Sequence, residues 1–452
     1  MGLQMIEHER LAPFHRKLNL LSASGTFLDG YDLAVVGVAL PLLVKHFDLG
    51  AGMTGVLASS VLIGNFVGMI IFGWLTDKIG RRAMYVIDLL TFVVFAAMTA
   101  ISTNIWEMLL FRFLLGLGIG ADYTISPTLV AEFNPTQRRG GRVGMLTLTF
   151  FIGSLVSYFI GLAASPLGPS AWRYMMGFGA LLALVVLFFR RQIPESPRWL
   201  VSQGETGKAS DIVHSLTGER PNLEATKPVA ASWSRLFVGT VAKWTAFVCL
   251  FWFAWDVLYY GVGLFSPTIL KAAAHGSYVV GILGAISITL VSIIGCLVAM
   301  YVLVDKWGRR PSLILGFAGL TAALLVLALS GHPTFAVLVV LLDLGIFLGN
   351  LGPGILPWIY ATDLFPTELR AAGTGVGAAA GRIGGILGVL VFPELIKAWG
   401  VAHASFLFVA AGLLGLIVDL FMAPETKQKP LERIQAELGG EPGMAAVGPI
   451  IP

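Results

Sequence analysis

Apolar and polar positions fall along this chain in long blocks, not in the short rhythms of a soluble fold. Twelve stretches stay apolar for about 20 residues or more, the length a helix needs to cross a bilayer. They run approximately 18–44, 52–76, 82–103, 105–131, 143–165, 172–192, 241–265, 277–304, 311–330, 334–361, 371–397 and 401–422. The longest polar interval, near 193–240, separates the sixth stretch from the seventh. The pattern predicts an all-α membrane protein of twelve transmembrane helices. It has a polar N-terminal segment (1–17), a six-helix bundle (18–192), a linker (193–240), a second six-helix bundle (241–422) and a polar tail (423–452).

The polar blocks themselves repeat. Gly73-Trp74-Leu75-Thr76-Asp77-Lys78-Ile79-Gly80-Arg81-Arg82 returns as Tyr301-Val302-Leu303-Val304-Asp305-Lys306-Trp307-Gly308-Arg309-Arg310, 228 positions later. Glu132-Phe133-Asn134-Pro135-Thr136-Gln137-Arg138-Arg139 is echoed by Asp363-Leu364-Phe365-Pro366-Thr367-Glu368-Leu369-Arg370 at an offset of 231. Asp29 and Asp256 form a weaker echo in the first and seventh spans. Charged hairpins repeated at half the chain length point to a duplicated membrane protein whose halves move against each other.

Composition agrees with the pattern. The chain is 56% hydrophobic and 12% charged, against roughly 25% charged in a soluble domain. Its 54 glycines suit helices that pack closely in lipid. Cys249 and Cys296 lie inside apolar runs, without metal-ligand spacing, and suggest neither a disulfide framework nor a metal site. No short apolar region followed by a cleavage site precedes the first span, so no removable signal peptide is expected. The net charge of +4 comes from basic residues in loops, which is a matter of membrane topology and not of nucleic-acid binding. With both termini on one side, that side holds 24 of the 30 Lys and Arg; the other holds Lys45, Arg173, Lys271 and Lys397. The positive-inside rule then places the termini, the linker and both repeated loops in the cytoplasm, with the protein in the cell membrane.

Twelve spans in two halves, with the Gly-x-x-x-Asp-Lys-x-Gly-Arg-Arg loop after the second and its copy after the eighth, resemble the major facilitator superfamily. Pro194-Glu195-Ser196-Pro197-Arg198-Trp199-Leu200 and Pro424-Glu425-Thr426-Lys427 are similar to the cytoplasmic motifs of its sugar-porter-like branch. The resemblance implies alternating access, with two bundles rocking around a central site, and transport without chemistry on the substrate. It also implies a cytoplasmic gate formed by Asp77, Arg81, Arg82, Glu132, Arg139, Glu195, Arg198, Asp305, Arg309, Arg310, Asp363 and Arg370. Physically, a carboxylate at a helix end can hold a guanidinium or a helix N-terminus across the bundle interface. Single exposed pairs contribute only about 0–1 kcal/mol, but several together bias an equilibrium whose gap is a few kcal/mol.

Ionisable residues within spans are functional candidates because burying them is costly. They are Asp29, Asp32, Asp88, Arg112, Asp122, Asp256, Asp343, Arg382 and Asp419. Asp29 and Asp32, three apart, share a helix face, which we expect to point into the central cavity. In sugar-porter-like proton symporters, the aspartate of a Gly-Tyr-Asp segment pairs with an arginine opening the fourth span; Asp32 and Arg112 match those positions. The resemblance thus assigns proton coupling to Asp29, Asp32, Arg112 and Asp122, with protonation of the aspartate freeing the arginine. Asp122-Tyr123 and Trp252-x-x-x-Asp256-x-x-x-Tyr260 also resemble the phosphate–proton symporter branch. Steps of four keep Trp252, Asp256 and Tyr260 on one face. Tyr123, Trp252, Asp256, Tyr259, Tyr260, Trp358 and Arg382 are the expected substrate-binding residues. Asp343, at the repeat position of Arg112, is expected to face the cavity, whereas Asp88 and Asp419 are expected near helix ends without a central role.

The sugar porters bind hydroxyls with glutamines in the fifth and seventh spans, and this chain has none there. Span five reads Leu146-Thr147-Leu148-Thr149-Phe150-Phe151. Unpaired substrate hydroxyls would each cost about 1–3 kcal/mol, so the expected cargo is a small anion, phosphate or an organic acid, carried with protons. The alternatives are a proton-coupled sugar transporter, an exporter or uniporter of an organic solute or cation, or a non-transporting receptor. No Walker loop, metal cluster or nucleophile–base arrangement supports an enzyme, and no selectivity-filter sequence supports a channel. The expectations are completed by protons as the coupling ion with no cofactor, the lipid bilayer and a small solute as partners, no nucleic acid, and a monomer.

Overall fold

The computed structural model describes residues 12–133, 139–224, 233–303, 306–331, 333–365 and 369–427. In lipid a backbone must satisfy its own hydrogen bonds, so each apolar block winds into a helix. The first half comprises α1 (Ala12–His46), α2 (Ala51–Ile79), α3 (Arg81–Ile101), α4 (Ile105–Phe133), α5 (Arg139–Ala164) and α6 (Ala171–Arg190). The linker carries two short helices, α7 (Pro197–Ser202) and α8 (Thr206–Thr217). The second half comprises α9 (Gly239–Ala273), α10 (Tyr278–Val298), α11 (Arg309–Leu329), α12 (Phe335–Asn350), α13 (Leu356–Leu364), α14 (Arg370–Ala404) and α15 (Phe406–Met422).

The tenth span differs from expectation. It is not one helix but two, α12 and α13, joined by a turn over 351–355. Gly352, Pro353 and Gly354 lie in that turn: proline lacks the N–H that would continue the ladder, and the glycines tolerate the bend. The freed groups are recovered locally, Gly354 N–H donating to Gly349 O and Leu356 N–H to Gly352 O, both at 3.1 Å. Broken backbone at membrane depth is tolerated where protein or a cavity covers it.

Packing repeats between the halves. Helix α1 packs on α5 and α9 on α14; α2 packs on α4 and α10 on α12; α3 packs on α6 and α11 on α15. The halves meet through α1 with α9, α2 with α14, and α5 with α10. Small residues permit these approaches. Gly116 and Gly120 of α4 face the α2 backbone at Val61 O and Asn65 O, leaving no room for a side chain. At the end away from the repeated loops the halves touch almost backbone to backbone. Gly37 abuts Leu264 O, Gly55 abuts Leu390 O, and the Tyr278 hydroxyl donates to Val38 O at 3.0 Å.

Candidate functional site

Between the halves lies a central pocket with aromatic walls. Its lining includes Tyr123, Phe150 and Phe151 from the first half and Trp252, Trp255, Asp256, Tyr259, Tyr260, Trp358 and Arg382 from the second. Helix α9 turns Trp252, Trp255, Asp256, Tyr259 and Tyr260 inward because residues three and four apart share its face. The break in the tenth span contributes Gly354 and Pro357, and α13 presents Trp358. The rings support one another: Trp252 meets Trp358 edge-on at 4.9 Å, Trp255 stacks on Tyr259 at 5.6 Å, and Tyr259 lies 6.0–6.2 Å from Phe151 and Phe150. Among the described residues, the lining contains no glutamine or asparagine. Its hydrogen-bonding groups are tyrosine and threonine hydroxyls (Thr26 and Thr147 among them), the indole N–H of the tryptophans, and one ion pair.

That ion pair centres on Arg382, which is 4% exposed. Its Nη1 donates to Asp256 Oδ2 at 2.9 Å and to the Tyr260 hydroxyl at 2.8 Å, both in its own half. Its Nε donates across the interface to Asn65 Oδ1 on α2 at 2.8 Å, and its guanidinium lies 4.3 Å from the Tyr123 ring centre. Arg382 therefore touches both halves at the pocket. The planar fork of arginine fixes the directions of these three hydrogen bonds. Asn65 was visible in the sequence only as an amide inside a span; its partner was not.

The two carboxylates of α1 do not line the pocket. Asp32 turns to Arg112 on α4, while Asp29 lies in the field of Asp122, Asp88 and Arg190 without a hydrogen-bonded cation. Asp32 Oδ1 accepts from Arg112 Nη1 at 2.8 Å, with Arg112 1% exposed and Met176 Sδ beside it at 3.8 Å. Asp122 is also away from the pocket and pairs with Arg190 at 2.7 Å, and Asp88, buried on α3, approaches the same nitrogen at 3.5 Å. Arg190 counts as a loop charge in the topology reading, yet it is 1% exposed. A signal existed: Arg190 and Asp419 end corresponding spans at an offset of 229. Asp419 is itself fully buried, with neither carboxylate oxygen hydrogen-bonded. Asp343 does not face the pocket; it is half-buried and accepts from Ser287 at 3.2 Å on the neighbouring α10.

At the end bearing the repeated loops, the described contacts include backbone caps as well as one side-chain pair between expected gate residues. Gly80 and Gly308 adopt φ of 96° and 117°, the left-handed region open to glycine, and each turns the chain into a new helix. Glu195 accepts from the backbone N–H of Arg81 (2.9 Å) and Arg82 (3.1 Å) at the start of α3. Glu425 repeats this with Arg309 (3.0 Å) and Arg310 (3.2 Å) at the start of α11. The Pro-Glu motifs thus cap helix N-termini within their own halves, where partial positive charge favours a carboxylate. The Arg82 and Arg310 side chains reach carbonyls of Arg191 and Leu420, also within their halves. Asp363 accepts from the Thr426 hydroxyl at 2.8 Å and lies 3.8 Å from Arg309 Nε. Arg198 sits in α7 and Arg370 opens α14. Asp305 and the side chains of Asp77, Glu132 and Arg139 lie outside the described residues. Glu195→Ala is expected to cost about 1 kcal/mol through the lost cap, and Glu425→Ala a similar amount. Thermal unfolding in detergent checks this, and the two losses should add because the sites are in different halves.

Comparison with known proteins places these features in a family. The family described as "Sugar (and other) transporter" matches residues 18–438. The putative metabolite transport protein YaaU of Escherichia coli is 32% identical over 92% of this chain and 94% of its own. The arabinose-proton symporter of Bacillus subtilis is 28% identical over 91% and 92%, respectively. The xylose transporter XylE of E. coli, in a partially occluded inward-open conformation, superposes with a TM-score of 0.79 at 23% identity, covering 92% of this chain and all of that one, and so shares the fold. The resemblance to phosphate–proton symporters is not supported; these relatives are sugar and metabolite transporters, despite the missing glutamines. The chain is therefore a multi-pass membrane transporter, not an enzyme, with the major facilitator fold, and it belongs to the sugar (and other) transporter family.

Proposed function

We propose that the protein is a proton-coupled symporter of a monosaccharide-sized, polyhydroxylated solute, working by alternating access. The observation that carries proton coupling is the buried Asp32–Arg112 pair, 2.8 Å apart and away from the solute pocket. A proton arriving on Asp32 cancels its charge, releases Arg112, and lets α1 and α4 rearrange; a buried pair kept whole costs far less than one broken. The relatives that include an arabinose-proton symporter and a glucose transporter support the solute class. So does the pocket, in which aromatic faces cover the C–H surfaces of a sugar while hydroxyl, indole and carboxylate groups meet its hydroxyls. We assign Asp29 and Asp122 to proton handling as well, and the distribution of basic residues supports termini and repeated loops on the cytoplasmic side of the cell membrane. We assign substrate contact to the pocket residues named above.

Arg382 favours a second reading, in which the cargo is the carboxylated counterpart, a sugar acid. A guanidinium already donating to one carboxylate can exchange Asp256 for a substrate carboxylate if Asp256 takes up a proton. The test is a thermal-shift panel of purified protein with arabinose, xylose, glucose, gluconate, glucuronate and inorganic phosphate. A ligand stabilises the folded state by mass action, and we expect a sugar or sugar acid to raise Tm and phosphate not to. A response to phosphate alone would refute the solute class. Arg382→Gln decides between the two readings: under the acid reading, gluconate binding falls at least about tenfold more than xylose binding, a difference of about 1.4 kcal/mol. Equal losses leave the neutral sugar.

A further inference from the structure

Arg190, at the foot of α6, is surrounded by more negative charge than it can neutralise. Its Nη1 pairs with Asp122 at 2.7 Å and reaches Asp88 at 3.5 Å. Its Nε and Nη2 donate to the α1 carbonyls of Leu21 (2.8 Å) and Ser22 (2.9 Å), and its guanidinium lies 4.2 Å from the ring centre of Tyr85. Asp29 faces the same cluster. It sits one turn after Gly25, where a methyl group would overlap Arg190 Nη2 and Asp122 Oδ2. The charges of Asp122, Asp88 and Arg190, and more weakly that of Arg382, act on it. Asp29 is 2% exposed and its Oδ2 has no hydrogen-bond partner. The groups facing the cluster are thus Asp29 from α1, Tyr85 and Asp88 from α3, Asp122 from α4 and Arg190 from α6, with Arg382 of α14 at longer range. Asp32, also on α1, is held by Arg112.

Three carboxylates and one guanidinium leave two negative charges uncompensated if all are ionised. Uncompensated charge in a membrane interior is expensive. The Arg190 guanidinium already occupies the space between Asp122 and Asp88, and a proton on a carboxylate neutralises the remaining charge without needing further room. We propose that the Asp29–Asp88–Asp122–Arg190 cluster is a second proton-binding site, distinct from Asp32–Arg112, with Asp122 ionised against Arg190 and protons held on Asp29 and Asp88. The assignment follows the contacts: Asp122 holds the guanidinium closely, Asp88 shares the same nitrogen at a longer distance, and Asp29 has no cationic hydrogen-bond partner. The cluster joins α1, α3, α4 and α6, so losing a proton from it creates repulsion inside the half that contains the coupling pair. Proton occupancy here does not depend on which solute is carried; any part in coupling rests on the symport reading above.

Infrared spectroscopy of the full chain in lipid nanodiscs tests this through the carbonyl stretch of protonated carboxyl groups at pH 7, with no solute added. Asp29→Asn and Asp88→Asn should each remove one protonated-carboxyl band present in the unsubstituted protein, whereas Asp122→Asn should remove no band of its own. Because asparagine replaces a neutral acid without a change of charge, the first two variants should keep the parent Tm, and Asp122→Asn should lower it. Spectra in which neither Asp29→Asn nor Asp88→Asn removes a band would overturn the proposal. A Tm loss as large for those two as for Asp122→Asn would do the same, because it would mark them as ionised partners of Arg190. Neither readout involves transport, so failure here is distinguishable from failure of Asp32 to couple.

Discussion

Asp32→Asn is expected to abolish solute accumulation driven by a proton gradient while leaving solute exchange across the membrane intact. The variant keeps the shape of the side chain and a hydrogen-bond acceptor for Arg112, now 2.8 Å from Asp32 Oδ1, but removes the only atom of the pair that can gain and lose a proton. The half can still rearrange, because a neutral residue mimics the protonated state. What disappears is the dependence of that rearrangement on pH. In proteoliposomes, the variant should bring its solute to equal concentrations on both sides and no further. Counterflow of labelled solute should persist, separating loss of coupling from loss of binding or folding.

Removing the other partner should have the larger effect on stability. Arg112→Ala leaves the Asp32 carboxylate buried at 4% exposure with no cation, and breaking a buried pair in this way costs about 3–5 kcal/mol. The cost exceeds that of losing packing alone because the remaining charge has no solvent. Acid should relieve it: as pH falls, Asp32 is neutralised in the folded variant and the penalty shrinks, so the variant gains stability relative to the parent. Asp32→Asn introduced together with Arg112→Ala should recover much of the loss at neutral pH. Thermal or denaturant unfolding in detergent across pH provides the measurement, and a double variant no more stable than Arg112→Ala would show that the cost lies in packing.

The architecture was legible because membrane helices write themselves in long apolar blocks and because duplication repeats the polar loops. Partners were less legible than faces. A spacing of three places Asp29 and Asp32 on one side of α1, but only the fold shows that Asp32 turns to Arg112 and that neither lines the pocket. Arg190 looked like a loop residue because it ends an apolar run, and a side chain at such a point can reach either water or the bundle interior. Glu195 and Glu425 stood out as motif residues; each holds a helix N-terminus, one of the partners expected of a carboxylate there, but within its own half and not across the bundle interface. The broken tenth span was written as Gly352-Pro353-Gly354, a turn signal overruled by the hydropathy around it. The missing amides were read correctly from span five, but they bear on how a sugar is held and do not exclude one: the pocket offers tyrosine, threonine and tryptophan donors in their place.

Proton movement during solute entry tests proton-coupled symport most directly. Proteoliposomes containing the unsubstituted protein and an internal pH-sensitive dye would be given, one at a time, arabinose, xylose, glucose, gluconate and glucuronate. Proton symport requires that at least one of these solutes acidifies the lumen as it enters, and that Asp32→Asn admits the same solute without acidification. Entry of these solutes with no proton movement in the unsubstituted protein, or acidification undiminished in Asp32→Asn, would contradict it.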